Sequence, residues 1–198
     1  MAKDPTSANP ALTSKGSATR ERIVQAARKQ LVDRGYEAFV MRDLADALHM
    51  KLGNLQYYFK TRETLILHLI EREAEADIEA IRQRQQDCTT PAATFRAIVE
   101  ELVVRWRGQS GILFSTLTTL SLHNPVYRQL YRQIYATFYT ALEQPVRQMN
   151  PELSAEEARL RVRLITALID GSSMQIQVGS LQVFLDRLQT EAEQIALA

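Results

Sequence analysis

The sequence predicts an all-α protein, and three observations carry that reading. Seven glycines and six prolines in 198 residues leave few places for tight turns. Apolar residues recur three and four apart along most of the chain, the spacing of a helix with one buried face. Helix-start signals, Thr90-Pro91, Asn124-Pro125 and Ser154 with Glu157, punctuate the second half.

Residues 1–17, rich in Ala, Ser, Thr and Pro without periodicity, read as a flexible N-terminal arm. A first helix begins near Thr19, sets Ile23, Ala26, Ala27, Gln30 and Leu31 on one face, and stops at Gly35. Tyr36 and Phe39 bridge to a short second helix, about 41–48, with Leu44, Ala45 and Leu48 inward. After a break at His49 and Met50, a third helix runs over about 51–59. Leu55 and Phe59 stand four apart and share its inner face, which turns Lys51, Asn54, Tyr57, Tyr58 and Lys60 outward. Two short helices around a tight turn, the second bearing exposed basic, amide and aromatic groups, suggest a helix-turn-helix.

Thr61 caps a long fourth helix, about 62–84, whose mostly charged second half reads as a connector between modules. Thr90 and Pro91 open the next, in which Phe95, Ile98, Val99, Leu102, Val103 and Trp106 make one apolar face ending at Gly108 or Gly111. An apolar segment, 112–122, precedes a helix from Asn124-Pro125 that carries Tyr127, Leu130, Tyr131, Ile134, Tyr135, Phe138 and Leu142. A capping box of Ser154 and Glu157 starts a helix of about 155–178, and Gly179-Ser180 separates it from a last one over about 181–196.

With 45% apolar and 24% charged residues the composition is globular. The lone Cys88 forms no internal disulfide, and His49, His68 and His123 are too scattered to make a structural zinc site with it, so neither metal nor cofactor is expected. The longest uncharged stretch, 108–127, is broken by Gln109, Ser110, His123 and Asn124 among other polar residues and does not suit a membrane. Residues 1–17 lack the apolar core of a secretory signal, so a cytoplasmic location is expected. Net charge is +1, but residues 15–62 hold ten Lys and Arg against five acids, a local +5, and all five lysines lie in the first 60 residues. A small basic module joined to a larger, slightly acidic one accounts for that distribution.

The segment 19–65 carries Ile23, Ala26, Ala27, Gly35, Tyr36, Arg42, Asp43, Leu44, Ala45, Gly53, Leu55, Tyr57, Phe59, Arg62, Glu63 and Leu65. In those residues and their spacing it resembles the DNA-binding domain of the tetracycline-repressor-like (TetR) family of bacterial regulators. The rest of the chain shares the family's size and helical content, with an Asp170-Gly171 pair as a weak echo. It departs from the pattern in four places: Val40 stands where Ser or Thr caps the second helix, His49 where the turn has Gly, Gln56 where a phosphate-contacting Tyr is common, and Lys51 where a capping Ser is common.

The resemblance implies a helix-turn-helix DNA-binding domain over 18–62, a connecting helix and boundary over 63–90, and a ligand-binding and dimerisation domain over 91–198. It implies Lys51, Leu52, Gly53 and Asn54 near base edges, and Gln56, Tyr57, Tyr58, Lys60, Arg62 and Arg42 on phosphates. Around an effector cavity it implies Trp106, Phe114, Leu117, Tyr131, Tyr135, Phe138, Met174 and Gln175, with His123, Arg105 and Asp170 as further polar candidates. Surplus apolar residues at 160, 164 and 168, the small Gly171, and Val183, Phe184 and Leu188 are expected to make a four-helix homodimer interface. The expected function is a homodimeric transcriptional repressor that binds a palindromic double-stranded DNA operator and is released by a small, largely apolar or aromatic effector. Two rivals stand beside it: a helical enzyme using the C-terminal cavity, for which no GxSxG, phosphate loop or metal set is visible, and a DNA-binding protein without an effector.

Overall fold

The computed structural model describes residues 14–175 and 181–198, and among them are nine helices and no strand. These are α1 (Ser14–Arg34), α2 (Met41–Ala47), α3 (Leu52–Tyr58), α4 (Arg62–Asp87), α5 (Pro91–Trp106), α6 (Gln109–His123), α7 (Pro125–Met149), α8 (Ala155–Met174) and α9 (Leu181–Leu197). The all-α class is as the sequence predicts. Two compact units part at Leu69 and Ile70, within α4. The arm over 1–13, the tail of the predicted helix over 176–178 and the break at Gly179-Ser180 lie outside the described residues.

In the first unit α1 starts five residues earlier than Thr19, because once a helix is nucleated each added residue costs little and residues 14–18 contain no proline. Ile23, Val24, Ala27 and Leu31 are buried with Phe39, Leu44, Ala45, Leu55, Phe59, Leu65 and Ile66. Val24 takes the inner position expected of Ala26 and Gln30, which are half-buried. The Gln30 side chain instead donates to the Val40 carbonyl (3.3 Å). Gly35, at φ 75°, ends α1 in the left-handed region that glycine adopts without strain.

The α2–α3 turn is a Schellman motif: the Met50 amide donates to the Ala45 carbonyl and the His49 amide to that of Asp46, both at 3.0 Å. His49 occupies the left-handed position, φ 53°, so the departure from glycine changes the side chain and keeps the turn. Val40 caps α2 without a side-chain bond, and Lys51 does the same for α3. Thr61 and Thr64 exchange amide-to-hydroxyl bonds, each 3.1 Å, at the start of α4.

In the second unit α5 is central, packed by α6, α7, α8 and α9, and its predicted face from Phe95 to Trp106 is buried throughout. Thr90 accepts from the Ala93 amide with Pro91 at the first helical position, and Asn124 accepts from Val126 with Pro125 likewise placed. Ser154 accepts from the Glu157 amide, but the Glu157 carboxylate turns forward to Arg161 (2.8 Å), so the capping box is made on one side. Pro145 lies inside α7, where it has no amide to give the Ala141 carbonyl. The Gln85 side chain of α4 donates to that carbonyl (3.3 Å) and restores the missing bond.

The charged half of α4 is more than a solvated connector. Asp77 and Glu73 are buried, Asp77 completely, because Trp106 Nε1 donates to Asp77 (2.6 Å), Arg105 pairs with it, and the Ser110 hydroxyl donates to Glu73. Burial pushes the Asp77 carboxyl up, and the Trp106 and Arg105 donors partly offset that.

Candidate nucleic-acid interface and effector cleft

Leu55 and Phe59 are the buried seat of α3, which leaves Lys51, Gly53, Asn54, Gln56, Tyr57 and Lys60 exposed, with Arg42 exposed on α2. Tyr57 is 70% exposed and meets half-buried Tyr58 edge to face at 5.3 Å. Leu52 is also half-buried. A Cβ on Gly53 meets nothing within 4 Å, so packing does not require glycine there. The face thus offers two ammonium groups, two amides and a phenol, donors suited to phosphates and base edges.

Arg62 does not belong to that free face. Its guanidinium lies over the Tyr36 ring, 3.9 Å from the centroid, and donates to the Tyr36 carbonyl. The residue ties the start of α4 to the α1–α2 loop, so among the expected phosphate contacts it is the one whose guanidinium is already engaged within the chain. Arg20 stands over the Phe59 ring at 4.8 Å, a contact across 39 positions for which the sequence pattern holds no signal.

In the second unit Trp106, Phe114, Tyr131, Tyr135 and Met174, all expected at an effector site, line one cleft of about 230 Å³ with Gly111, Ser115, Thr118, Thr119, Asp170 and Ser173. Leu117 and Phe138 are buried core residues outside its lining, Phe138 standing edge-on to Trp106 at 5.4 Å. Gln175, at the end of α8, is exposed and also outside the lining. Among the polar candidates Arg105 is held by Asp77 and His123 is exposed, whereas Asp170 faces the cleft. Tyr131 and Tyr135 stack at 4.3 Å, and the Tyr135 hydroxyl donates to Asp170, 3.1 Å from either carboxylate oxygen. Burial pushes the Asp170 carboxyl up to about 6 against the opposing pull of that bond, and burial with the nearby carboxylate pushes the Tyr135 hydroxyl up as well. Larger hollows of about 380 and 630 Å³ exist in the second unit, but neither has an aromatic ring in its lining.

α8 has two apolar faces. Ala158, Val162, Ile165 and Ile169 point into the core, whereas Leu160, Leu164 and Leu168 stay 51%, 50% and 36% exposed. Gly171 continues the outer stripe with open space around it, and Val183 and Phe184 of α9 are exposed. Leu188, expected on the same surface, is buried within its own chain, because it lies on the α9 face shared with Ala192. Among the described residues no helix is long and apolar enough to cross a membrane, and no cluster of three or more His, Cys, Asp or Glu is placed to hold a metal ion.

The model for bacterial regulatory proteins of the tetR family matches residues 23–69, and that for the C-terminal domain of BetI-type transcriptional repressors matches 91–196. No curated protein sequence matches the chain. Among solved structures, a TetR transcription regulator from Haloarcula marismortui superposes with a TM-score of 0.77 at 18% identity, over 91% of this chain and 97% of that one. A protein from Saccharomonospora viridis, assigned as a transcriptional regulator and solved in complex with choline, gives 0.76 at 19%, over 90% and 95%. A transcriptional regulator from Rhodococcus gives 0.76 at 17%, over 90% and 96%. At such identities the likeness is one of fold.

Proposed function

Because the chain belongs to the TetR family of bacterial DNA-binding transcriptional regulators, we propose that it is a cytoplasmic homodimeric repressor, released from a palindromic operator by a small cationic effector. The exposed face of α3 carries the DNA part of this reading. Lys51, Leu52, Gly53 and Asn54 reach base edges, while Gln56, Tyr57, Tyr58 and Lys60 hold phosphates with Arg42 on α2. The outer leucines of α8 supply the reason for a second copy. Burying a leucine is worth about 1.5–3 kcal/mol, so a face that leaves three of them half in water is better covered than bare.

Asp170 amends the effector expected from the aromatic rings alone. A desolvated carboxylate beside Tyr131, Tyr135, Trp106 and Phe114 favours a positive group, which the ring faces also attract, over a purely apolar molecule. A cleft of about 230 Å³ lies below the roughly 300–1,000 Å³ of drug-sized sites, so the effector is small. The choline held by the Saccharomonospora viridis protein is a cation of that kind. Selection from random duplexes tests the DNA reading: a short inverted repeat is expected, with Kd of about 10⁻⁸–10⁻¹¹ M at physiological salt. Recovery of no two-fold symmetric site would overturn it.

A further inference from the structure

We propose that Trp106 and Asp77 are the positioning pair through which occupancy of the aromatic cleft acts on α4, and hence on operator affinity. The inference rests on the reading of that cleft as the effector site. Trp106 lines the cleft, and its indole nitrogen donates at 2.6 Å to a fully buried carboxylate on α4, Asp77. Arg105, the residue before Trp106, takes the other oxygen of Asp77. One turn earlier on α4, Glu73 accepts from Ser110, which immediately precedes the cleft residue Gly111. Gly111 is itself pinned, since a Cβ there would overlap the Trp106 carbonyl oxygen. The lining residue Trp106 and the immediate neighbour of the lining residue Gly111 are therefore tied to two carboxylates one turn apart on α4.

The ring has little freedom of its own. Phe114 lies 5.3 Å away and Phe138 5.4 Å away, so a ligand that presses on Trp106 shifts the indole as a body. A buried carboxylate stripped of its donor is costly, so α4 follows the indole rather than releasing it. α4 is one continuous helix from Arg62 to Asp87, so a shift at Asp77 is carried along its backbone toward its first turn. The helix becomes the two-state element that both ligands bias.

Trp106 is the only tryptophan in the chain, so its emission reports on this link without a label. Coupling is reciprocal, and operator binding must therefore alter the surroundings of Trp106. The selected operator duplex should change Trp106 emission at stoichiometric addition, a scrambled duplex of equal length should not, and Asp77→Asn should lose the change while keeping its helical melting transition. Unchanged emission in the wild type, or a full change in Asp77→Asn, overturns the proposal whether or not any effector is known.

Asp77→Asn leaves every residue of the cleft lining in place and weakens the acceptor of the indole N–H. With tetramethylammonium as probe, the wild type should lose about tenfold in operator affinity, within the roughly 5–150-fold range of ordinary allosteric coupling. Asp77→Asn should bind the probe about as well by calorimetry and show no such loss. Probe-driven release undiminished in Asp77→Asn also overturns the link. Failure of tetramethylammonium to bind the wild type counts against the cationic effector alone, since the emission experiment still decides the link.

Discussion

On the proposed reading, single side chains of α3 divide between holding DNA and reading it. Lys60 is exposed two residues beyond the end of the helix, and as a proposed phosphate contact it makes a definite prediction: Lys60→Ala should weaken specific and nonspecific duplexes alike and lower the slope of log K against log salt by about 1. Asn54, in the first turn of the helix, should relax preference at one base pair per half-site on replacement by alanine, with the salt slope unchanged. Competition binding at several salt concentrations checks both, and exchanged phenotypes would reverse the assigned orientation of α3. Asp170 gives a pH signature. Its folded carboxyl is raised from 3.8 to about 6, so the stability it contributes is present below pH 4 and lost as pH rises to about 6. After discounting for its partial exposure the loss is about 1–2 kcal/mol, and Asp170→Asn should remove it from the pH profile of thermal melting. Cation binding runs the other way, because it needs the carboxylate, and should fade below pH 6.

Helix starts and stops were the most legible elements, because each is decided within a few residues. Thr90-Pro91, Asn124-Pro125 and Gly35 carry their own geometry, and the structure uses all three as the sequence predicts. Long-range partnerships were not legible. Periodicity sets Asp77 beside Ala74, Ile78 and Ile81 on the inner face of α4 and Glu79 off it, but that this face buries a carboxylate depends on Trp106 and Arg105 arriving from α5. The same holds for Arg62, whose basic character suits a phosphate equally well until the Tyr36 ring is found beneath it. Of the cleft, spacing put the aromatic residues of α5 and α7 on helix faces and the family resemblance named those expected around a cavity, whereas which of them are lining and which are core depends on how helices pack. Pro145 is a further case, since α7 continues through it with help from Gln85. Gln85→Ala should therefore cost about 1 kcal/mol of stability in denaturant unfolding, more than an ordinary surface substitution, and Pro145→Ala should cancel most of that cost. Equal losses for Gln85→Ala with and without Pro145 would mean the bond to Ala141 is incidental.

For the whole molecule, reading a palindromic operator takes two chains on one site, because B-DNA presents half-sites a helical turn apart and one helix-turn-helix reads one of them. The α8 leucines and the exposed α9 residues Val183 and Phe184 leave apolar surface open, which the proposed second copy would cover as in obligate homodimers. A charge at its centre should separate the copies without touching α3, so Leu168→Glu should reduce dimer population and operator affinity together while leaving nonspecific binding per chain nearly unchanged. Sedimentation of the protein with its selected operator duplex at micromolar concentration tests this most directly. Two wild-type chains per duplex are expected, and a Leu168→Glu protein should sediment as a single chain and fail to occupy the site. A single wild-type chain bound at full affinity, or Leu168→Glu binding the operator as tightly as wild type, would contradict that expectation.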